Sequence, residues 1–277
     1  MMKNYRHHPF SLLLRILVTL SAVITAGVVL FLIGYILYYG VPNLTMPGLF
    51  SWKFTAENQS MMPAIINTVI MIVLTLMLAV PIGVFAAIYL VEYSKRGNRF
   101  VKIIRVTAET LSGIPSIVYG LFGYIVFVIT LGWSFTLLSG VITMAIMILP
   151  LIMRTTEEAL MAVPDSFREG SFGLGAGRLR TVFRIVLPSS VPGILSGVIL
   201  AIGRIVGESA ALIFTSGTNP VVPKSLFSSA STLSVHLYTL LNEGRYTDQA
   251  YATAVVLLIV VIIINALSSV VAKKLSR

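Results

Sequence analysis

"REGSFGLGAGRLRTVFRIVLP", residues 168–188, places four arginines, one glutamate and four glycines between two strongly apolar runs. Of the 277 residues, 57% are hydrophobic and 11% are charged, and the mean hydropathy is +0.94. Average soluble domains carry more than twice that share of charge. A bilayer core about 30 Å thick needs about 20 apolar residues at about 1.5 Å per residue. Six runs meet that length: 16–38, 64–90, 109–131, 135–153, 192–215 and 251–271. The expected fold is an all-α integral membrane protein with six transmembrane helices forming one domain over 1–277. The quoted stretch then falls in a polar connection, 154–188, between the fourth and fifth helices.

Charge sets the expected orientation. With the N-terminus inside, 16 of the 20 basic residues fall on the inner side, including Lys3, Arg6, Arg15, Lys95, Arg96, Arg154, Arg168, Arg178, Lys273 and Arg277. Outside there are only Lys53, Lys224 and Arg245, and Arg204 lies within a span. The positive-inside rule therefore puts both termini, and the quoted stretch, in the cytoplasm. The net charge of +10 follows the membrane and gives no reason to expect a nucleic-acid partner. The sequence contains no cysteine and only three histidines, a poor basis for a metal site. The first span is too long for a signal-peptide core and reads as a retained anchor. The loops 39–63 and 216–250 read as polar outer connections.

Within the quoted stretch, Asp165 after Pro164 is expected to cap a helix that also carries Glu169 near its start, and Gly175 is the expected left-handed stop. A second helix follows Gly177. Leu179, Val182, Phe183 and Val186 fall on its expected apolar face, opposite Arg178, Arg180 and Arg184, and Leu187-Pro188 ends it. The pattern fits two short helices joined by a glycine elbow. It equally fits an interfacial amphipathic helix whose arginines meet lipid headgroups.

Inside the membrane, the fifth span carries Arg204 and Glu208. Such groups cost about 2.5–3.5 kcal/mol each at a helix centre, so each needs a partner or a wet cavity. Four residues apart, they share a helix face and could neutralise one another. Alternatively the arginine is a forked donor for an oxyanion. A neighbouring carboxylate then favours an anion that still carries a proton, as hydrogen phosphate does and sulfate does not. In the third span Pro115 predicts a kink, with Ser112 and Ser116 lining a pathway or only easing helix packing. Glu109, near Arg105, reads as solvated.

Spacing ties these features to a family. Glu169-Gly170-Ser171, Gly175 six residues after Glu169, and Ile185 ten after Gly175 with Leu187-Pro188 following resemble the EAA signature of ABC importer permeases. The departures are Gly170 and Ser171, where alanines are usual; glycine inside a helix costs about 1 kcal/mol relative to alanine, so a softer element is expected. "PIGVFAAIYLVEY" (81–93), "IPSIVYGLFGY" (114–124), "LPLIMRTTEEALMAVPDSFREG" (149–170) and "ILAIGRIVGESAALIFT" (199–215) are similar to the phosphate permeases of the PstA type. The resemblance implies a type I ABC importer permease fold in a bacterial or archaeal cell membrane, with residues 154–188 as the coupling loop. Glu169, Gly170, Ser171, Gly175, Ile185, Leu187 and Pro188 would dock on a separate ATPase. It also implies a heterodimer with a similar permease of the PstC type, two copies of a PstB-type ATPase holding ATP and magnesium, and an extracytoplasmic phosphate-binding protein. No cofactor is expected on this chain, which has no G-x-x-x-x-G-K-[ST] for a nucleotide and no H-E-x-x-H. Other readings are the PstC-type subunit, a permease for another oxyanion, or an ion-coupled carrier, which would have no use for the docking spacing.

Overall fold

The computed structural model describes residues 9–95 and 97–275. Lys3, Arg6, Arg96 and Arg277, which enter the charge count above, lie outside the described residues. Every regular element described is helical. The first helix, α1 (Pro9–Gly40), is followed by α2 (Met62–Ile88), which continues through a π-turn, Tyr89–Tyr93. Next come α3 (Arg99–Ser112) and α4 (Ser116–Gly123), the latter extended by a π-helical segment, Tyr124–Thr130. Then follow α5 (Leu137–Met161), α6 (Asp165–Gly173), α7 (Arg178–Thr181) with a π-turn at Val182–Val186, and α8 (Leu187–Gly207). The chain closes with α9 (Ala210–Ile213), α10 (Leu233–Glu243) and α11 (Thr247–Leu275).

Among the described residues, five helical stretches are long and apolar enough to cross a membrane: Phe10–Thr45, Met62–Tyr93, Leu137–Met161, Arg178–Gly207 and Thr247–Val270. The sixth expected span, 109–131, is not one helix. Its two parts, Arg99–Ser112 and Ser116–Thr130, meet at a bend of 102°. The expected kink at Pro115 is a complete break, because a proline disfavours helical backbone in the residue before it and offers no N–H of its own. Pro115 is extended (φ −58°, ψ 141°) and its carbonyl accepts from Val118 N–H at 3.0 Å, starting a new helix. Tyr119 braces the break, donating from its hydroxyl to the Leu111 carbonyl at 2.8 Å.

The core is α5, packed against α2 on one side and α8 on another, with α11 against α8. Lipid tails are as apolar as leucine, so close packing rather than water exclusion holds such helices together. Small residues sit where backbones meet: a Cβ on Gly83 would lie 2.8 Å from an Ile152 methyl, and one on Gly193 would lie 2.5 Å from the Ala159 Cβ. Met71, Met144, Met147, Ile148 and Ile205 fill the centre, each at most 1% exposed. α1 stands apart and packs on α11. Its last residue, Gly40, abuts the Tyr251 carbonyl, and Tyr39 stacks on Tyr251 at 5.4 Å between centroids.

Two further boundaries differ from expectation. Pro188 does not stop the second elbow helix, which runs through α7 and α8 from Arg178 to Gly207 as one membrane-entering stretch. A proline clashes with the carbonyl four residues earlier, and the widened π-turn at Val182–Val186 displaces those carbonyls. At the other end the fifth span does not continue to 215. It breaks at Glu208, whose backbone is extended (ψ 125°), before the single turn of α9.

The loop 216–250 folds back onto the bundle and contains α10. Asn67 of α2 donates to the Ser231 carbonyl at 3.0 Å, and Thr68 Oγ1 accepts from Leu233 N–H at 2.8 Å. Buried backbone groups need such partners, which is why a polar loop can pack here. His236 on α10 is 2% exposed, and burial pushes its imidazole below the ordinary histidine value, so the ring is neutral.

Candidate functional site

The elbow is built as the glycines dictate. α6 begins directly after the extended Pro164, so Asp165 is the first helical residue; no side chain caps this helix. The expected Asp165 cap is therefore corrected, although its charge still faces the positive end of the helix. At the other end Gly175 has φ +81°. Its N–H bonds the Phe172 carbonyl at 2.9 Å and Ala176 N–H bonds the Ser171 carbonyl at 3.1 Å, the two bonds of a Schellman stop. A Cβ on Gly175 would touch nothing within 4 Å, so its requirement is purely conformational. Gly175→Val is expected to speed amide hydrogen exchange across 171–181, with Gly175→Asn near the parent because asparagine tolerates this backbone. Equal exchange in the two variants would contradict this.

Ser171, expected only to be small, is 6% exposed, and its Oγ lies 2.8 Å from Thr181 Oγ1. The hydroxyl that replaces an alanine thus ties α6 to α7 across the elbow. This offsets the softness expected of the pair; Gly170 beside it is open to solvent, with nothing near a would-be Cβ.

The second half of the elbow turns differently from a regular helix. Val182 and Val186 are buried at 1% and 0%, but Leu179 and Phe183 are exposed at 65% and 40%. The expected four-residue apolar face assumed α-helical turns. A π-turn widens the helix, so residues four apart stay aligned while those three apart separate. Leu179 and Phe183 are thereby turned outward, and Leu174, at the tip, is 91% exposed. A groove of about 620 Å³ runs between the two arms, lined by Phe167, Gly170, Ser171, Gly175, Arg180 and Ile185. Of the expected docking residues, Gly170, Ser171, Gly175 and Ile185 meet in this groove. Glu169 is exposed on α6 outside it. Leu187 lies beyond the groove against the Val182 and Val186 cluster, and Pro188 is exposed.

What fastens this elbow to the membrane helices is Arg168. Nη2 donates to Glu92 Oε1 at 2.7 Å and to the Leu160 carbonyl at 2.9 Å; Nη1 donates to the Val163 carbonyl at 2.7 Å and Asp165 Oδ1 at 3.2 Å; Nε donates to Glu92 Oε1 at 3.1 Å. All five guanidinium N–H groups are used. The Arg168 and Glu92 side chains are 14% and 9% exposed. One side chain therefore joins α6 to the ends of α2 and α5. Arg178 adds a second link, its guanidinium carbon 5.8 Å from the Tyr93 ring centroid. Neither Glu92 nor the anchoring role of Arg168 was singled out from sequence. The two are 76 residues apart, and the only local signal is a lone carboxylate ending an apolar run.

Within the membrane segment the expected pair separates. Since α8 ends at Gly207, Glu208 leaves the helix. Its Oε1 accepts from Ala211 N–H at 3.0 Å, and its carbonyl accepts from Ser234 Oγ. It is a buried cap for α9, 8% exposed. Arg204, partly exposed, has no hydrogen-bonding or ion-pairing partner among the described residues and lies within electrostatic reach of Tyr119. Ser116 opens α4 one turn before that tyrosine. Ser112 belongs elsewhere, in a cleft of about 580 Å³ over α5 with Arg154 and Glu158, and its hydroxyl donates to the Glu109 carbonyl. The helices that follow the two breaks, α4 and α9, pack together: a Cβ on Gly120 would lie 2.8 Å from Ala211 Cα. Arg204 thus stands unneutralised beside α4 and the break at Glu208, an arrangement suited to an anion.

Comparison with known proteins gives a consistent picture. Residues 79–277 match the model of the family described as binding-protein-dependent transport system inner membrane component. The chain is 33% identical over 284 residues to the probable ABC transporter permease protein YqgI of Bacillus subtilis, covering 93% of this chain and 94% of that one. It is 34% identical over 217 residues to the phosphate transport system permease protein PstA of Yersinia pestis, covering 76% and 72%. PstA 1 of Mycobacterium tuberculosis is 33% identical over 211 residues, covering 75% and 68%. Among solved structures, a chain of the bacterial alginate ABC transporter aligns with a TM-score of 0.65 at 18% identity, over 94% of this chain and 95% of that one. A chain of the MetNI methionine ABC transporter aligns at 0.62 and 19%, over 78% and 94%.

Proposed function

Since the chain belongs to the family of binding-protein-dependent transport system inner membrane components, we propose that it is the membrane-spanning permease of an ATP-driven importer that translocates inorganic phosphate. A separate ATPase supplies the energy through the elbow at 165–188. The observation that carries this reading is the elbow itself: exposed Leu174, Leu179 and Phe183 on a Schellman-stopped pair of helices clamped to α2 and α5 by Arg168. Exposed apolar groups on a rigid base suit a protein partner.

In this reading two copies of a PstB-like ATPase hold ATP and magnesium. A PstC-like permease completes the pathway as a heterodimer, and an extracytoplasmic binding protein delivers phosphate. The charge asymmetry supports a cytoplasmic elbow and cytoplasmic termini. This chain contributes motion and a path rather than chemistry. Force on α6 passes through Arg168 into the ends of α2 and α5, and through the continuous stretch Arg178–Gly207 towards Arg204.

Phosphate is favoured by the PstA relatives at 33–34% identity, and the unpaired Arg204 suits an oxyanion, as a forked donor for an oxygen pair. Glu208, occupied in capping α9, supports the pathway from behind. Arg204→Gln is expected to lower phosphate uptake at least about tenfold, the order of one lost charge-assisted contact, while the complex still assembles. Unchanged uptake would remove Arg204 from the pathway.

A further inference from the structure

α3 is unlike the membrane helices. It carries Arg99, Lys102, Arg105 and Glu109 within 14 residues, too many charges for a hydrocarbon core, and it turns away from α4 by 102°. One side is fixed to the bundle: Val101 is buried, Ile104 and Ala108 pack with it, and Arg105 forms an ion pair with the buried Glu157 of α5. The opposite side shows Phe100, Ile103 and Val106 at 59%, 62% and 54% exposure, a stripe at helical spacing. Along one flank of that stripe opens a cleft of about 720 Å³, lined by Lys95, Asn98, Lys102, Arg105, Glu109 and Arg168.

The two arginines in the cleft are committed to Glu157 and to Glu92 and Asp165. Lys95 and Lys102 have no ion-pairing partner among the described residues and are exposed. Glu109, seven residues beyond Lys102, lies about 10 Å further along the helix, leaving the Lys95 end positive. We propose that α3 lies in the membrane interface and that Lys95 and Lys102 bind the phosphate of an anionic phospholipid headgroup, with Phe100, Ile103 and Val106 set among its acyl chains. The apolar stripe beside the ammonium groups decides the source. A soluble anion would use the lysines alone, whereas a lipid engages both surfaces. Because the same cleft contains the Arg168 anchor of α6, the bound lipid steadies the elbow from the membrane side. The binding does not depend on what the protein transports.

The test is native mass spectrometry of the detergent-extracted complex supplied with equal amounts of phosphatidylglycerol and phosphatidylcholine. The parent is expected to retain phosphatidylglycerol selectively, and Lys95→Gln/Lys102→Gln to lose roughly 10- to 30-fold of that selectivity, from the attraction expected of two surface lysines. Lys53→Gln/Lys224→Gln, carrying the same charge loss elsewhere, should leave it unchanged. Equal retention in parent and Lys95/Lys102 variant, or displacement of the lipid by millimolar inorganic phosphate, would overturn the proposal. A photoreactive residue at Ile103, in membranes, should capture lipid; capture of a second polypeptide would assign the stripe to a protein interface and overturn it as well. Neither readout uses transport, so a failure here is separable from a failure of the permease reading.

Discussion

Replacing Arg168 by alanine should leave an importer that assembles and hydrolyses ATP but moves its substrate at least tenfold more slowly. The substitution removes five hydrogen bonds at once, two of them to Glu92. Glu92, 9% exposed in its side chain, is left as a buried carboxylate without its counter-charge, and breaking such a pair from one side costs about 3–5 kcal/mol. The carbonyls of Leu160 and Val163, at and just beyond the end of α5, lose their donor as well. The membrane helices themselves are packed by α5 with α2 and α8, away from this node, so the loss should fall on the attachment of α6. Arg168→Lys keeps the charge without the fork and should give an intermediate rate. The exchange Glu92→Arg/Arg168→Glu restores the ion pair but not the carbonyl bonds, so only part of the rate should return. If ATP hydrolysis and uptake fall together in all three variants, Arg168 maintains structure alone and does not transmit force.

Gly120→Val should be strongly destabilising in the membrane region. A Cβ there would lie 2.8 Å from Ala211 Cα and 3.1 Å from the Ala210 carbonyl. Both obstacles are backbone, so no side chain can rotate away, and the two interrupted helices α4 and α9 must separate. Over-packing costs about 1–3 kcal/mol where neighbours can give; with backbone opposite, the cost belongs at or above the upper end. The expected result is a thermal midpoint in detergent lowered by more than about 5 °C and poor recovery of the complex. Gly113→Ala is the control: its nearest neighbour would be the Thr110 carbonyl at 3.5 Å, an ordinary contact, and its φ is −87°. It should be nearly neutral. Similar losses in both variants would show that the interruption needs glycine for flexibility throughout rather than for close approach at Gly120.

Long apolar runs and the lysine and arginine asymmetry are carried by the chain locally, so the membrane class and five of the six spans could be read directly. The elbow was also local, because Gly175 must stop α6 in a left-handed conformation and the spacing to Ile185 and Pro188 is counted along the chain. Two of the misread boundaries share a cause. Pro115 and Pro188 look alike in sequence, yet one breaks the helix and the other is absorbed by a π-turn at Val182–Val186. Which outcome follows depends on the hydrogen-bond register of the preceding turn, and periodicity does not report that register. The same π-turn misled the assignment of Leu179 and Phe183.

Partners brought together by folding were not legible. Arg168 and Glu92 meet only because the ends of α2 and α5 converge, and Ser171 gains meaning only when Thr181 is placed opposite it. Arg204 and Glu208 were read as neighbours on one helix. The break at Gly207 gives Glu208 to α9 and leaves Arg204 unpaired, which sharpens the case for an anion pathway and moves it onto one residue.

The most direct measurement is phosphate uptake by proteoliposomes containing this chain with its co-purified permease and ATPase, with ATP enclosed and phosphate-loaded binding protein outside. Uptake is expected to require both ATP and the binding protein and to be lost in Arg168→Ala while hydrolysis continues. Purified complex that hydrolyses ATP in response to the binding protein yet carries no phosphate in the parent protein would contradict it.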